Sequence, residues 1–229
     1  MKKLIGGKNM NYEMMNNNKV FLTGNVVDEP EFSHETFGEG FYELKLSVPR
    51  LSEYNDVIPI IVSEKLLAKD AFKVGNEVAV KGQFRSYNKI VDGTSKLVLT
   101  VFIREMGEID RSMNPNIIEI TGYVCKPPIY RTTPFNREIC DLLVAVNRAY
   151  NKSDYLPCIA WGRSAQYIKD TEVGSQVSIV GRIQSRDYQK KIGEDTITKT
   201  AYEISINRVQ VQGKEESVNE PEKDSIAIV

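Results

Sequence analysis

Apolar and polar residues alternate with a period of two along much of the chain, which is typical of strands that bury one face. Residues 43–48 (ELKLSV) alternate strictly, and in residues 78–84 (VAVKGQF) the valines and the phenylalanine share one side. Gly82 and Gly181 fall in the middle of such strands, where glycine weakens packing. These glycines therefore predict sharp bends that allow a sheet to close.

The alternating pattern occurs twice. Residues 19–32 (KVFLTGNVVDEPEF) align with residues 117–130 (IIEITGYVCKPPIY), so that a Thr-Gly pair and a proline coincide. After the insertion of one residue, residues 74–86 align with residues 173–185. The chain is therefore predicted to be a tandem duplication, with its boundary in the polar stretch 111–116.

Each copy contains five predicted strands, with a short helix between the third and the fourth, at residues 64–72 and 164–170. Segments 89–96 and 189–199 each contain a glycine and are predicted to be hairpin loops between the fourth and fifth strands. Five strands and one helix in this order fit the OB-fold, a Greek-key barrel that binds oligonucleotides. We therefore expect an all-β chain of two tandem OB-fold barrels.

Four segments follow from this pattern. Residues 1–17 are expected to be a flexible extension, residues 18–110 a divergent OB-fold, and residues 115–212 a second OB-fold. Residues 213–229 are polar and acidic until their apolar end, which predicts a disordered tail.

The formal net charge of −1 hides an uneven distribution. Residues 18–113 hold 12 basic and 15 acidic residues, residues 114–212 hold 13 and 10, and residues 213–229 hold 2 and 5. A basic second half suits a polyanionic ligand, although the excess of three charges is small.

Several classes of function find no support in the composition. The 3 cysteines form no CxxC pair and the single histidine, His34, has no companion ligands, so we expect no metal and no cofactor. No nucleophile with its base and no phosphate-binding glycine loop is present, so we expect no enzyme. OB-folds can host metal-dependent nucleases, but Asp141, Asp154 and Asp187 are scattered as surface residues would be. No stretch approaches the roughly 20 apolar residues of a membrane span, and we expect a cytoplasmic location.

Binding of single-stranded nucleic acid requires cations that follow the phosphates and aromatic rings on which unpaired bases stack. In residues 155–162 (YLPCIAWG), Tyr155 and Trp161 share one face of a strand. Periodicity alone does not tell which face is buried, so Trp161 is either a core residue or a stacking surface.

The blocks ITGYVCKPPIYRT, LLVAVNR, YLPCIAWGRSAQYI, VGSQVSIVGRIQSRDY and AYEISINRVQV together resemble the bacterial single-stranded DNA-binding protein family over residues 116–212. The resemblance implies single-stranded DNA binding without chemistry, in assemblies that contain four OB-folds. It also implies base stacking on Tyr155, Trp161 and Tyr188, and phosphate contacts from Arg148, Arg163, Arg182 and Arg186.

The first copy departs from this pattern, since Val57 aligns with Tyr155 and Ser63 aligns with Trp161 in the repeat. It keeps the candidate binding residues Arg50, Tyr54, Lys81, Arg85, Tyr87 and Lys89. Either the second barrel is the main site and the first is a weaker site and scaffold, or the first has simply drifted.

We therefore expect a sequence-independent protein that coats and protects single-stranded DNA during replication, recombination or repair, in the cytoplasm with the nucleoid. Two barrels per chain suggest a homodimer. The acidic tail is expected either to dock replication and repair proteins or only to aid solubility. The alternative is a protein-interaction OB module, a primosome or recombination accessory, with weak DNA binding.

Overall fold

The structure is a computed structural model that describes residues 16–50, 52–67, 70–91, 93–192, 195–213 and 217–218. The strands of the first half are β1 (Asn18–Val26), β2 (Glu31–Thr36), β3 (Glu39–Pro49), β4 (Asn55–Ser63), β5 (Glu77–Val91) and β6 (Thr94–Met106). Those of the second half are β7 (Asn116–Val124), β8 (Ile129–Thr132), β9 (Glu138–Arg148), β10 (Lys152–Trp161), β11 (Gln176–Ile192) and β12 (Asp195–Val211), followed by β13 (Ser217–Val218). Helix α1 (Glu64–Leu67) follows β4, and α2 (Gly162–Ile168) follows β10.

Each half closes into a barrel of five strands. In the first barrel the pairing runs β1, β3, β4, β6, β5 and back to β1, with β4 and β6 parallel and the other pairs antiparallel. The second barrel repeats this order with β7, β9, β10, β12 and β11. The short strands β2 and β8 add an outer hairpin arm to each barrel. The predicted all-β chain of two tandem OB-fold barrels is confirmed.

The barrels enclose aliphatic cores in which the alternation seen in the sequence is realised. Leu22, Leu46 and Ile58 are fully buried in the first barrel, as are Val144 and Leu156 in the second. Removing such side chains from water is the main stabilising contribution to a domain of this size.

The two mid-strand glycines lie where another strand crosses very closely. A Cβ atom on Gly82 would lie 2.3 Å from the carbonyl oxygen of Phe102, and one on Gly181 would lie 2.3 Å from that of Ser205. The strand register shifts beside each glycine. Only a residue without a side chain allows the approach that closes the barrels.

The connections differ in detail from those expected. Helix α1 has four residues, fewer than predicted, whereas α2 begins two residues earlier, at Gly162. The predicted loops 89–96 and 189–199 are mostly paired, and the ladders continue to the Val91–Thr94 and Ile192–Asp195 pairs. Because β-branched residues such as those in TIT (196–198) favour extended backbone, strands replace the loops that glycine suggested.

The two barrels share one continuous sheet. Strand β1 pairs antiparallel with β7, with Asn18 opposite Ile120 and Leu22 opposite Asn116, so the barrels are related by an approximate two-fold axis. Asn18 donates to the carbonyl oxygen of Phe84 at 2.7 Å and accepts from its amide at 3.0 Å. Asn116 forms the same two bonds with Ile183, at 2.7 and 2.9 Å.

The predicted terminal segments are partly ordered. Asn17 accepts a hydrogen bond from the amide of Thr121 at 2.9 Å and donates to the carbonyl of Asn147 at 2.8 Å, so the end of the expected flexible extension is fixed to the second barrel. Ser217–Val218, in the expected disordered tail, pairs with β12. The remaining parts of both predictions, residues 1–15, 214–216 and 219–229, lie outside the described residues. Within the described part of the chain, neither helix is long and apolar enough to cross a membrane.

Candidate nucleic-acid interface

Two buried carboxylates join the barrels at equivalent positions. Asp56 of the first barrel accepts a hydrogen bond from the amide of Ser185 in the second, at 2.7 Å. Asp154 of the second barrel accepts one from the amide of Ser86 in the first, at 2.8 Å. Each serine hydroxyl in turn accepts from the amide of the residue after the carboxylate, at 3.1 and 2.7 Å. The junction therefore has two sides with the same backbone geometry, the Asp56 side and the Asp154 side.

On the Asp56 side, arginines saturate the carboxylate. Arg50 donates to Asp56 from both Nε and Nη2, the former at 2.8 Å, and Arg182 donates from Nη1 at 3.1 Å. Arg50 also donates to the carbonyl of Ser185 at 3.0 Å, and its hydrogen bond to Asp56 raises its pKa. Arg50 and Arg182, which the sequence analysis proposed as DNA contacts, thus both donate to the carboxylate that bridges the barrels.

On the Asp154 side, the pairing is incomplete. Arg148 lies with Nε 3.3 Å from Oδ2 of Asp154, an ion pair without hydrogen-bond geometry. Among the described residues, Asp154 Oδ2, Arg148 Nε and Arg85 Nε are buried and have no hydrogen-bond partner. Burial raises the pKa of Asp154, against the lowering effects of the Ser86 amide and of the two arginines.

Next to Asp154, two arginines of the first barrel lie on one aromatic ring. The guanidinium carbon of Arg85 is 4.1 Å from the centroid of Phe102, and that of Arg104 is 5.3 Å from it. Both arginines donate to Oε1 of Gln83, at 2.9 and 3.3 Å. Burial and the charges of Arg104 and Arg148 lower the pKa of Arg85 to about 10.

The sequence analysis did not identify Phe102 and Arg104. Phe102 also contacts Phe41 at a centroid distance of 5.4 Å, and Phe41 stacks on His34 at 5.1 Å. The sequence did contain a signal for them. In the segment FIR (102–104) an aromatic residue is followed two positions later by an arginine, as Trp161 is followed by Arg163 in the second copy.

The aromatic residues of β10 lie on its outer face. Leu156, Cys158 and Ala160 point into the core and are at most 2% exposed. Tyr155, on the opposite face, is 47% exposed, and Trp161 is half-buried. Trp161 lies six positions after Tyr155, about 20 Å along a strand, so Tyr155 lies at the junction and Trp161 at the far end.

Other predicted residues of the second barrel are exposed but are less closely grouped. Arg163 follows Trp161 on the surface of α2. Tyr188 is 39% exposed on the β11–β12 hairpin. Arg186 lies 3.7 Å from Glu203 and keeps more than half of its side chain in solvent.

The remaining residues of the first barrel fall into two groups. Tyr87 and Lys89 are exposed on the β5–β6 hairpin, and burial followed by the charge of Glu43 raises the pKa of Tyr87. Tyr54 is 74% exposed in the loop before β4. Lys81 lies elsewhere, paired with Glu105 at 3.4 Å beside a groove of about 460 Å³ on the outer face of the β1–β7 sheet. The structure therefore brings Arg85, Arg148 and Tyr155 together but separates Lys81 from them.

The three aspartates considered for a nuclease site lie in different contacts. Asp141 pairs with Arg131 at 2.9 Å, and Asp187 accepts from the hydroxyl of Thr200 at 2.7 Å, whereas Asp154 lies at the junction. No group of three potential metal ligands occurs among the residues that the structure describes.

Comparisons with known proteins agree with this geometry. Residues 115–212 match the model of the Single-strand binding protein family. Single-stranded DNA-binding protein 1 of Lactococcus lactis is 27% identical over 109 residues, which cover 42% of this chain and 73% of the relative. Single-stranded DNA-binding protein 1 of Staphylococcus aureus (strain COL) is 31% identical over 85 residues, 34% of this chain and about half (51%) of the relative.

A solved structure extends the likeness to both barrels. The wild-type single-stranded DNA binding protein from Thermus aquaticus superposes with a TM-score of 0.67 at 16% identity, over 89% of this chain and 96% of that one. The tandem arrangement of barrels is therefore shared with a known fold.

Proposed function

We propose that this chain, whose residues 115–212 form a domain of the single-strand binding protein family, binds single-stranded DNA without sequence preference and protects it during replication, recombination or repair. The observation that carries the proposal is the outward face of β10, where Tyr155 is exposed. The residue before it, Asp154, faces the cations Arg148 and Arg85 at the barrel junction. Rings and cations on one open surface are what an unpaired strand requires. The names of the relatives favour this function over a protein-interaction module.

The binding residues that we propose are exposed or half-buried and take no part in the pairing of Asp56. Stacking falls to Tyr155, Trp161 and Tyr188, with Tyr54 and Tyr87 in the first barrel, and each stacked base contributes about 1–3 kcal/mol. Phosphate contacts fall to Arg148, Arg163, Arg186, Arg85 and Lys89. We assign Arg50 and Arg182 to the alignment of the barrels, because Asp56 holds their donors.

A homodimer with four barrels is part of the proposal. The outer face of the shared β1–β7 sheet carries a groove lined by Phe21, Met113 and Ile117, with charges of both signs from Lys19 and Glu119. A second copy related by two-fold symmetry presents the same mixture of apolar and complementary charged groups, and this makes it the occupant that we propose. A measured mass of one 26.0 kDa chain at micromolar concentration contradicts this assembly, and a mass of two chains supports it.

Two further expectations belong to this proposal. Binding of chromosomal single strands places the protein in the cytoplasm with the nucleoid. The acidic segment 213–229 is proposed to dock replication and repair proteins, since acidic side chains and an apolar end can meet a basic surface with an apolar pocket.

The test follows the fluorescence of Trp161, the single tryptophan, during titration with oligo(dT), at two salt concentrations. We expect strong quenching by the single strand, little by a duplex of equal length, and weaker binding at higher salt because counterions are released. A titration without quenching, together with an unshifted oligonucleotide in a gel assay, contradicts the proposal.

A further inference from the structure

Three arginines from both barrels converge on the Asp154 side of the junction. Arg85 and Arg104 belong to the first barrel and share the ring of Phe102, and Arg148 belongs to the second. Asp154 is the carboxylate that faces Arg148 and Arg85 there. Three positive charges against one negative charge leave an excess that favours a further anion.

The hydrogen-bonding state of the cluster points the same way. Nε of Arg85 and Nε of Arg148 are buried without partners among the described residues, as is Oδ2 of Asp154. A buried polar group without a partner is costly, so native proteins rarely leave several together. Burial is the main reason that the pKa of Arg85 is lowered, and the charges of Arg104 and Arg148 lower it further, against the opposing charge of Asp154.

The equivalent positions on the Asp56 side do not form such a cluster. Arg85 corresponds to Gln184 in the repeat, whose amide donates to Glu203 at 2.7 Å. Phe102 pairs with Gln83 across the strands as Ser205 pairs with Arg182, and Arg104 falls at the register shift where Asn207 falls in the second barrel. The aromatic ring and both cations are thus replaced by neutral polar residues, while Arg182 completes the pairing of Asp56.

Arg85 and Arg104 are also preorganised. Stacking on Phe102 and the shared acceptor on Gln83 restrict both side chains before any ligand arrives. Less side-chain entropy is therefore lost on binding than for cations that move freely in solvent. Arg104 is exposed, so the cluster is open to a ligand at one edge.

We infer that Arg85, Arg104 and Arg148 form a site for a backbone phosphodiester of single-stranded DNA, so that the strand crosses from one barrel to the other on the Asp154 side. This inference rests on the proposed function and adds a path and a position to it. Tyr155 lies next to the site, since its amide donates to the hydroxyl of Ser86, and a base flanking the bound phosphate can stack there.

The test compares Arg104→Gln with two matched controls. Arg111→Gln removes an exposed arginine that pairs with Glu77 away from the cluster, and Asn207→Ala changes the equivalent position of the second barrel. We expect Arg104→Gln to weaken binding of an oligo(dT) that spans both barrels about 5- to 10-fold, and to reduce the slope of log K against log salt by about 0.7, the value for one lost phosphate contact. Both controls should change the affinity less than about twofold.

The outcomes separate the inference from the function on which it rests. If the wild type binds no single strand, the proposed function fails. If the wild type binds and Arg104→Gln matches Arg111→Gln in affinity and salt slope, the phosphate site is wrong. Arg85→Gln provides a second variant, because it introduces the residue that the second barrel has at this position, and it should produce a loss of similar size.

The phosphate assignment has its own control. With an oligonucleotide whose linkages are neutral methylphosphonates, the wild type and Arg104→Gln should bind equally. A difference that persists with the neutral strand overturns the assignment, since Arg104 would then contact a base.

Discussion

The two sides of the barrel junction have the same backbone hydrogen bonds but differ in how completely the buried carboxylate is paired. On the Asp56 side, two arginines and an amide donate to both carboxylate oxygens. On the Asp154 side, one oxygen has no hydrogen-bond partner among the described residues, and cations are in excess. The difference indicates that the same backbone hydrogen bonds can surround a fully paired carboxylate on one side of the junction and leave positive charge available for a ligand on the other.

The aromatic residues of the barrels differ in a related way. Trp161 of β10 stands opposite Ile139 of β9, whereas the equivalent Ser63 stands opposite Phe41. Cross-strand partners share a face, so the first barrel carries its ring at the same place but on the neighbouring strand. The first barrel therefore carries a ring close to the position equivalent to Trp161, on a residue that a linear alignment does not place there.

The largest expected effect is on the unfolding free energy, when Asp56 and Asp154 are replaced one at a time. Asp56→Ala takes a fully buried acceptor away from the half-buried Arg50 and Arg182. Loss of one partner from a buried ion pair costs about 3–5 kcal/mol in unfolding free energy, and the partial exposure of the arginines places this variant at the lower end of that range. Asp154→Ala should cost less, because burial already disfavours its charged form. Urea unfolding of both variants measures the difference, and an equal loss would contradict the contrast between the sides.

Unlike the two carboxylate variants, Asn18→Ala and Asn116→Ala should lower the unfolding free energy by equal amounts. Each asparagine satisfies one amide and one carbonyl of a neighbouring strand, at Phe84 and at Ile183. Two buried backbone groups left unpaired cost about 1–2 kcal/mol each, so both variants should lose about 2–4 kcal/mol of unfolding free energy. Urea unfolding provides the check. Clearly unequal losses of unfolding free energy would mean that the barrels differ in their backbone hydrogen bonding as well as in their charges.

Trp161→Ser, which introduces the residue of the first barrel, tests whether the second barrel is the main stacking site. Loss of one stacked base should weaken oligo(dT) binding about 5- to 150-fold, corresponding to about 1–3 kcal/mol. Phe41→Leu should weaken binding less, because that ring already packs against Phe102 and His34. Gel-shift titrations measure both effects.

Trp161→Phe is the control for this prediction, since it keeps a ring at the position and should retain most of the affinity. A larger loss from Phe41→Leu than from Trp161→Ser would reverse the assignment of the main site.

The sequence was sufficient for the strands and the duplication, because alternation and a fixed offset are local signals. It also placed Tyr155 and Trp161 on one face of β10, but it could not decide that this face points outward. The roles of Arg50 and Arg182 could not be read from the chain, since their acceptor, Asp56, is fixed only when the barrels dock. Arg104 was missed for the same reason, because its contacts to Phe102 and Gln83 depend on the register of β5 and β6.

The smallest expected effect is the pH dependence of the unfolding free energy that comes from Asp154 alone. Because burial raises the pKa of Asp154 above its ordinary value near 3.9, the folded state binds this proton more tightly than the unfolded state does. Between the ordinary and the raised pKa, the unfolding free energy contributed by this group therefore falls as pH rises, by at most about 1.4 kcal/mol per pH unit.

Asp154→Asn has no such proton, and the contributions of the other titrating groups cancel when the two proteins are compared. The stability of the wild type relative to Asp154→Asn, measured by urea unfolding, should thus be greater near pH 4 than near pH 7. A difference that stays constant or grows with pH would mean that the arginines around Asp154 outweigh its burial, and the Asp154 side would then resemble the Asp56 side after all.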